Sequence, residues 1–112
     1  MPTGPASPLG EFELLVLLAA MSLGEGAYPV AIAKDIEART GRMASRTAVL
    51  ITLERLEDKD LVTSRYGDPT PERGGRPKRF FKPNARGLQA VRNAVAQIET
   101  MTKGLKNVLR SR

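Results

Sequence analysis

The chain has 112 residues, of which 41% are hydrophobic, and a formal net charge of +6. It contains neither Cys nor His, which excludes disulfides, thiolate chemistry, imidazole acid–base catalysis and the usual zinc sites. We therefore expect one domain with a modest core, with no enzymatic activity, no metal and no cofactor.

The most apolar run, residues 14–21, is too short to cross a membrane. It has eight residues, whereas a spanning helix needs ~20. Glu11 and Glu13 stand immediately before it, where a secretory signal would carry basic residues. We expect a cytoplasmic protein that does not bind a membrane.

The positive charge lies after residue 41. Residues 1–41 have a net charge of −3, residues 42–86 of +5 and residues 87–112 of +4. This asymmetry favours a polyanion as partner. The alternative is a basic surface that only keeps the protein soluble.

The first third of the chain predicts an arm and two helices. Residues 1–8 contain three prolines and no apolar periodicity, as is typical of a flexible arm. Residues 11–23 form a helix that is apolar on nearly every face and therefore buried. Residues 29–40 form a second helix, with Pro29 at its first position and Gly41 after its end.

A third helix begins after Ser45, a residue suited to cap it. At 100° per residue, one side is apolar and faces inward: Val49, Thr52, Leu53 and Leu56. The opposite side consists of Thr47, Leu50, Ile51, Glu54 and Asp58. Two branched aliphatic residues on that outward side indicate a contact surface.

Two short strands follow, at residues 61–66 and 79–82. The ten residues between them, 68–77, contain three prolines and the Gly74-Gly75 pair, which excludes a continuing strand. Long ordered loops in compact domains are usually functional. A helix followed by a hairpin with an arginine-bearing tip is the layout of a winged helix-turn-helix, and we call this hairpin the wing.

Residues 84–109 predict one long helix with a coiled-coil seam. Its positions alternate three and four residues apart: Leu88, Val91, Val95, Ile98, Thr102, Leu105 and Leu109. A helix of roughly 38 Å is longer than so small a domain can cover, so the seam implies a second chain. Gly104 is a weak point where the helix could bend. The alternative is that the seam packs back on the chain's own first helix.

The predicted fold is mainly α with a small β-hairpin. It comprises an arm (1–8), a winged helix-turn-helix domain (9–83) and a long C-terminal dimerisation helix (84–112). The predicted dimer contacts are Leu14, Leu17, Leu88, Val91, Val95, Ile98, Leu105 and Leu109.

Four segments carry a resemblance to a known family. They are the Leu-rich run at 9–18, Tyr28, residues 45–62 with their Leu53-Glu-Arg-Leu-Glu core, and the stretch Pro71-Glu-Arg-Gly-Gly-Arg-Pro-Lys-Arg-Phe-Phe. Through them the chain resembles the PadR family of bacterial transcriptional regulators. The resemblance implies a dimeric winged-helix DNA-binding protein, usually a repressor, whose first and last helices build the dimer. Family members commonly respond to small aromatic or drug-like ligands.

Two positions depart from the family pattern. Leu50 stands where an aromatic residue is frequent on the recognition helix, and Asp60 stands where Gly usually ends that helix. The second departure predicts a strained or differently ended helix.

We predict that the N-terminal end of the third helix enters the major groove of double-stranded DNA. Its first-turn N–H groups suit a phosphate. Ser45 caps the helix or binds phosphate, Arg46 and Thr47 reach base edges or phosphates, and Leu50 or Ile51 packs on a thymine methyl. For Leu50, packing against another protein surface is the alternative.

We predict a second contact from the wing, through Arg73, Gly75, Arg76, Lys78 and Arg79. The glycines allow close approach, and Arg favours a narrow minor groove. The alternative is a solvated run of charges. Tyr28 donates to a phosphate, or else is a core or interface residue.

The resulting functional prediction is a homodimeric regulator on a palindromic operator, with half-sites about 34 Å apart. A small-molecule effector of unknown identity would lie between the tail helices and the first helix. The alternative from another class is a winged-helix adaptor that binds protein and has weak or no specific DNA binding.

Overall fold

The computed structural model describes residues 9–68 and 77–111. Within them lie five α-helices: α1 (Glu11–Leu23), α2 (Pro29–Thr40), α3 (Arg46–Asp58), α4 (Ala85–Thr102) and α5 (Lys106–Arg110). Strands β1 (Val62–Tyr66) and β2 (Arg79–Pro83) form an antiparallel hairpin. The predicted fold class is confirmed. The predicted arm and most of the predicted wing loop lie outside the described residues.

The first three helices begin and end where the sequence predicts. A 3-10 turn at Gly24–Gly26 follows α1. Pro29 is the first residue of α2, and Gly41 ends it in the left-handed region with φ +75°, a conformation that glycine adopts without strain. Ser45 caps α3, because its Oγ accepts a hydrogen bond from the N–H of Ala48 at 3.0 Å.

The core lies where α1, α2 and α3 meet the hairpin. The inward side of α3 is buried as predicted, through Val49, Thr52, Leu53 and Leu56. Phe81 of β2 is among the largest fully buried side chains, and its N–H donates to the carbonyl of Ala27 at 2.9 Å. The hairpin is thereby joined to the segment between α1 and α2.

The end of α3 shows the strain that Asp60 predicts. Asp60 has φ +63° and is the non-glycine residue with positive φ in the described part of the chain. Glycine adopts this conformation more readily than Asp. The Asn84 side-chain amide donates to the Asp60 carbonyl at 2.9 Å, so the turn is held to the start of α4.

The strands pair from Val62 opposite Pro83 to Tyr66 opposite Arg79. Compared with the prediction, β1 begins one residue later and β2 extends one residue further, to Pro83. In this register Arg79 and Phe81 point to one side of the hairpin, whereas Phe80 and Lys82 point to the other.

The prediction of one unbroken helix over 84–109 is wrong. Helix α4 ends at Thr102, Lys103 is extended with ψ 129°, and Gly104 has φ +82°. These dihedral angles are incompatible with a continuing α-helix, and α5 begins as a separate helix at Lys106. The weak point predicted at Gly104 is therefore the site of a break.

One partly buried ion pair joins α1 to the end of α3. Lys59 Nζ lies 2.9 Å from Glu13 Oε2, and the N–H of Gly10 donates to Glu13 Oε1 at 2.9 Å. Burial alone would raise the pKa of Glu13, but the Gly10 hydrogen bond and Lys59 together outweigh it and lower that pKa. The Glu13 carboxylate therefore stabilises the folded state when it is ionised.

No helix in the two described ranges is long and apolar enough to span a lipid bilayer.

Replacing Gly87 by Ala should destabilise the fold. Gly87 lies in the first turn of α4, and a Cβ there would stand 2.1 Å from the carbonyl oxygen of Leu61, a backbone atom that cannot rotate away. We expect a loss of about 1–3 kcal/mol in the free energy of unfolding, measured by urea denaturation. Gly26→Ala is the matched control, since a Cβ at Gly26 meets nothing within 4 Å; equal stability of the two variants would contradict the packing of α4 on Leu61.

Replacing Glu13 by Gln should lower stability at neutral pH by about 1–3 kcal/mol, because Lys59 loses its partner. The pKa of Glu13 is lowered on folding, so its stabilising effect is complete above the ordinary carboxyl pKa and disappears as the pH falls through the lowered value. Unfolding curves of both proteins should therefore converge in acid. A difference that is constant from neutral to strongly acidic pH would show that the carboxylate charge is not responsible.

Candidate nucleic-acid interface

The N-terminal end of α3 is an exposed, positively charged surface. Ser45, Arg46 and Thr47 are all exposed, and Arg46 has no ion-pair or hydrogen-bond partner among the described residues. The unpaired N–H groups of the first helical turn add partial positive charge. This end of α3 can therefore bind a phosphate and place Arg46 and Thr47 beside it.

The two outward aliphatic residues of α3 differ in their surroundings. Leu50 is partly buried and packs against the core, whereas Ile51 is 49% exposed. Thr47 and Ile51 are four residues apart, so they are neighbours on the same face. The accessible apolar group on the predicted recognition face is therefore Ile51, and Leu50 is largely a packing residue.

Arg79 faces α3 and not the solvent side of the wing. Its Nη1 lies 3.0 Å from Glu54 Oε2 and its Nη2 lies 2.7 Å from Glu57 Oε1. Its Nε donates to Ser64 Oγ at 3.3 Å, so each guanidinium nitrogen has a partner. Strand β2 turns this side chain towards α3, an orientation unlike the one predicted for a residue that grips DNA from the wing.

Lys78 and Tyr28 form a separate pair on the other side of the hairpin. Lys78 Nζ lies 4.3 Å from the centre of the Tyr28 ring, and Tyr28 meets Phe80 edge to face at 5.7 Å between ring centres. Tyr28 also precedes the first residue of α2. The structure brings these two predicted residues together, and Lys78 has no carboxylate partner within the described ranges.

The other predicted wing residues, Arg73, Gly75 and Arg76, lie outside the described residues.

Several other basic side chains are paired with carboxylates. Arg42 lies 3.0 Å from Glu11 and over the Phe12 ring, and Arg65 lies 3.2 Å from Glu25. Such pairing reduces the positive potential that these residues offer to a polyanion. Arg46 and Lys78 are thus distinguished by position and by their lack of a carboxylate partner in the described part of the chain.

Met43 was not predicted to belong to this surface. It lies in the turn between α2 and α3 and is 82% exposed. A single Met in a short connection has no periodic pattern, so the sequence contains no signal that would have identified it.

The predicted dimer contacts divide into three groups by their exposure. Leu17 and Val91 are buried in the core of their own chain and leave almost no accessible surface. Leu14, Leu88 and Val95 are partly buried. The remaining three predicted contacts are exposed: Ile98, Leu105 and Leu109.

An open groove lies between the end of α1 and the start of α4. It has a volume of about 560 Å³, and Ala20, Met21, Pro83 and Leu88 contribute apolar surface to it while Glu25 and Lys82 contribute charge. This volume is within the range of small-molecule sites.

Solved structures of other proteins share the fold of this chain. No family model and no curated protein matches the chain, whereas several solved structures do. A PadR family transcriptional regulator from Eggerthella lenta is 25% identical with a TM-score of 0.66, over 91% of this chain and 88% of that chain. A PadR family transcription regulator from Clostridium difficile is 19% identical with a TM-score of 0.65, over 91% of this chain and 100% of that chain.

A PadR-like transcriptional regulator from Bacillus cereus is 11% identical with a TM-score of 0.66, over 88% of this chain and 94% of that chain. These neighbours are transcriptional regulators, a non-enzymatic class, which supports the prediction that the chain is not an enzyme. The resemblance to the PadR family of transcriptional regulators is therefore confirmed, and the chain has the fold of that family over 91% of its length.

Proposed function

We propose that the chain is a sequence-specific DNA-binding transcriptional regulator. The observation that carries this proposal is the exposed N-terminal end of α3, where Arg46 has no carboxylate partner among the described residues and is followed by Thr47, which shares a helix face with Ile51. Arg pairs with guanine edges or phosphates, Thr donates or accepts, and an aliphatic side chain packs on a thymine methyl. These are the groups needed to bind a duplex and to distinguish its sequence.

The wing supplies the second contact with the duplex. Lys78 lies at the base of the predicted loop, and Arg73 and Arg76 belong to the same basic run in the sequence. Contacts to phosphates position a protein without specifying sequence. The wing therefore contributes binding affinity that decreases as the salt concentration rises, whereas α3 determines which DNA sequence is bound.

The regulator acts as a homodimer on a palindromic operator. Large apolar side chains are exposed along the end of α4 and on α5: Ile98, Met101, Leu105, Val108 and Leu109. Several large exposed apolar side chains within twelve residues of chain favour a protein interface in this segment. A two-fold dimer through these helices would place two α3 helices about 34 Å apart, one turn of the duplex.

The regulator acts as a repressor, as the family resemblance implies, and its place of action is the cytoplasm. The groove between α1 and α4 is the proposed place for a small-molecule effector, since it adjoins α4, whose far end carries part of the proposed dimer surface. Binding there would change the separation of the two α3 helices and so release the operator.

A protein–protein adaptor is the second candidate. The exposure of Met43 and Ile51 beside Glu54 favours it, because apolar side chains with an acidic neighbour suit a protein surface better than a phosphate backbone. The partial burial of Leu50 removes one of its supports.

Duplex titration tests the proposal. We expect the protein to bind a site in its own upstream DNA more tightly than a scrambled duplex, with affinity falling steeply between about 50 and 200 mM salt, as about six to ten phosphate contacts imply. Arg46→Ala and Thr47→Ala should each reduce the preference for that site by about 1–3 kcal/mol. Fluorescence anisotropy measures both quantities, and two chains per duplex are expected.

Arg92→Ala is the matched control, since it removes one exposed positive charge from α4, away from α3 and the wing. It should leave the preference for the site unchanged. Equal and weak binding of both duplexes at all salt concentrations would contradict the proposal and favour the adaptor.

Ile51 should recognise a thymine methyl. Replacing each thymine of a half-site in turn by deoxyuridine removes one methyl group, and at one position this should weaken binding about fourfold, the effect of one buried methyl. Ile51→Ala should abolish that sensitivity, whereas Ile51→Val should retain most of it. If the Ile51→Ala variant is as sensitive to uracil as the unmodified protein, Ile51 does not contact the base.

A further inference from the structure

Two carboxylates lie on the side of α3 that approaches the wing. Glu54 and Glu57 are three residues apart, so their side chains are neighbours on the helix. Glu54 is about half-exposed, and it follows Leu50 and Ile51 by one helical turn. A carboxylate there lies close to the face of α3 that the proposed function places against DNA, where it would repel phosphates.

Arg79 is bound to both carboxylates. Its two terminal nitrogens contact Glu54 at 3.0 Å and Glu57 at 2.7 Å, while Ser64 Oγ donates to the second Glu57 oxygen at 2.8 Å and accepts from Arg79 Nε. The four side chains form a closed network between α3 and both strands. The Arg79 cation thereby offsets one of the two negative charges and is shared between both carboxylates.

Arg79 is held by two aromatic rings in addition to its carboxylate partners. Its guanidinium carbon lies 4.8 Å from the centre of the buried Phe81 ring and 5.9 Å from that of Tyr66, and the side chain is only 25% exposed. Arg stacks on aromatic faces in this way because its guanidinium is planar and weakly hydrated. Turning Arg79 outward to a phosphate would break the stack and expose two carboxylates.

We infer that Arg79 is a positioning residue that offsets part of the negative charge of Glu54 and Glu57 and holds the wing against the recognition helix, without itself binding DNA. The inference rests on the proposed function. Its consequence is that Arg79 matters for DNA binding only while the two carboxylates are present. A residue that bound phosphate directly would matter whether or not they were present.

A double-mutant cycle separates the two roles. Arg79→Gln is measured in the unmodified protein and in the Glu54→Gln/Glu57→Gln variant, by duplex affinity at fixed salt. We expect Arg79→Gln to weaken binding about fivefold or more in the first background, through unshielded repulsion of phosphates, and less than about twofold in the second. Lys82→Gln is the matched control, since it removes one charge from an exposed position on the same strand and should have a small, equal effect in both backgrounds.

The outcomes are distinct. Equal weakening by Arg79→Gln in both backgrounds, or greater weakening in the background that lacks the two carboxylates, would show that Arg79 contacts phosphate and overturn the inference while the proposed function stands. Absence of duplex binding by the unmodified protein would overturn the proposed function and this inference together. Thermal unfolding of each variant, followed by circular dichroism, identifies any loss of binding that comes from loss of fold.

Discussion

The attachment of β2 to the helical core through Phe81 is the constraint on which the rest of the structure depends. The ring is fully buried, which stabilises the fold by about 1.5–3 kcal/mol, and the backbone N–H of Phe81 is bonded to Ala27 between α1 and α2. One residue thus orients the hairpin relative to all three helices of the core. Because side chains alternate along a strand, the placement of Phe81 also decides where its neighbours point. Arg79 must face α3 with Phe81, while Lys78 and Phe80 must face Tyr28.

This alternation separates two basic residues that the sequence presents as equivalent. Lys78 and Arg79 are adjacent, yet Arg79 is bonded to Glu54 and Glu57 while Lys78 rests on an aromatic ring. A cation on a ring keeps part of its hydration and its full charge, so Lys78 adds positive potential at the base of the wing. Arg79 instead cancels negative potential on α3. Both effects favour the binding of a polyanion. Lys78 acts by attracting it, and Arg79 acts by reducing its repulsion from α3.

The sequence was sufficient where structure depends on local chemistry. Both ends of α2 follow from Pro29 and Gly41, the start of α3 follows from Ser45, and the strain at Asp60 follows from the absence of Gly. The sequence was insufficient to predict conformation and packing that depend on the three-dimensional surroundings of a residue. The heptad spacing continues through residue 104, but Gly104 takes a left-handed conformation that spacing does not reveal. Leu50 lies on the outward side of an isolated helix and yet packs against the core, because a helical wheel takes no account of neighbouring elements. The pairing of Arg79 with α3 required the register of the hairpin.

The ion pair between Glu13 and Lys59 bears on how a signal could reach the recognition helix. It ties the first turn of α1 to the end of α3, while the buried side of α3 packs against α1 and α2. The Phe81 attachment and the Arg79 network add the wing to the same unit. Helix α3 therefore has little freedom to tilt alone, because tilting would break a partly buried charge pair and expose core side chains. The groove beside Met21 lies at the opposite end of α1, next to α4. In the proposed function, a ligand there would act most easily on the direction of α4 and α5, which carry the exposed apolar side chains, and would shift α3 as part of a rigid body relative to the proposed second chain.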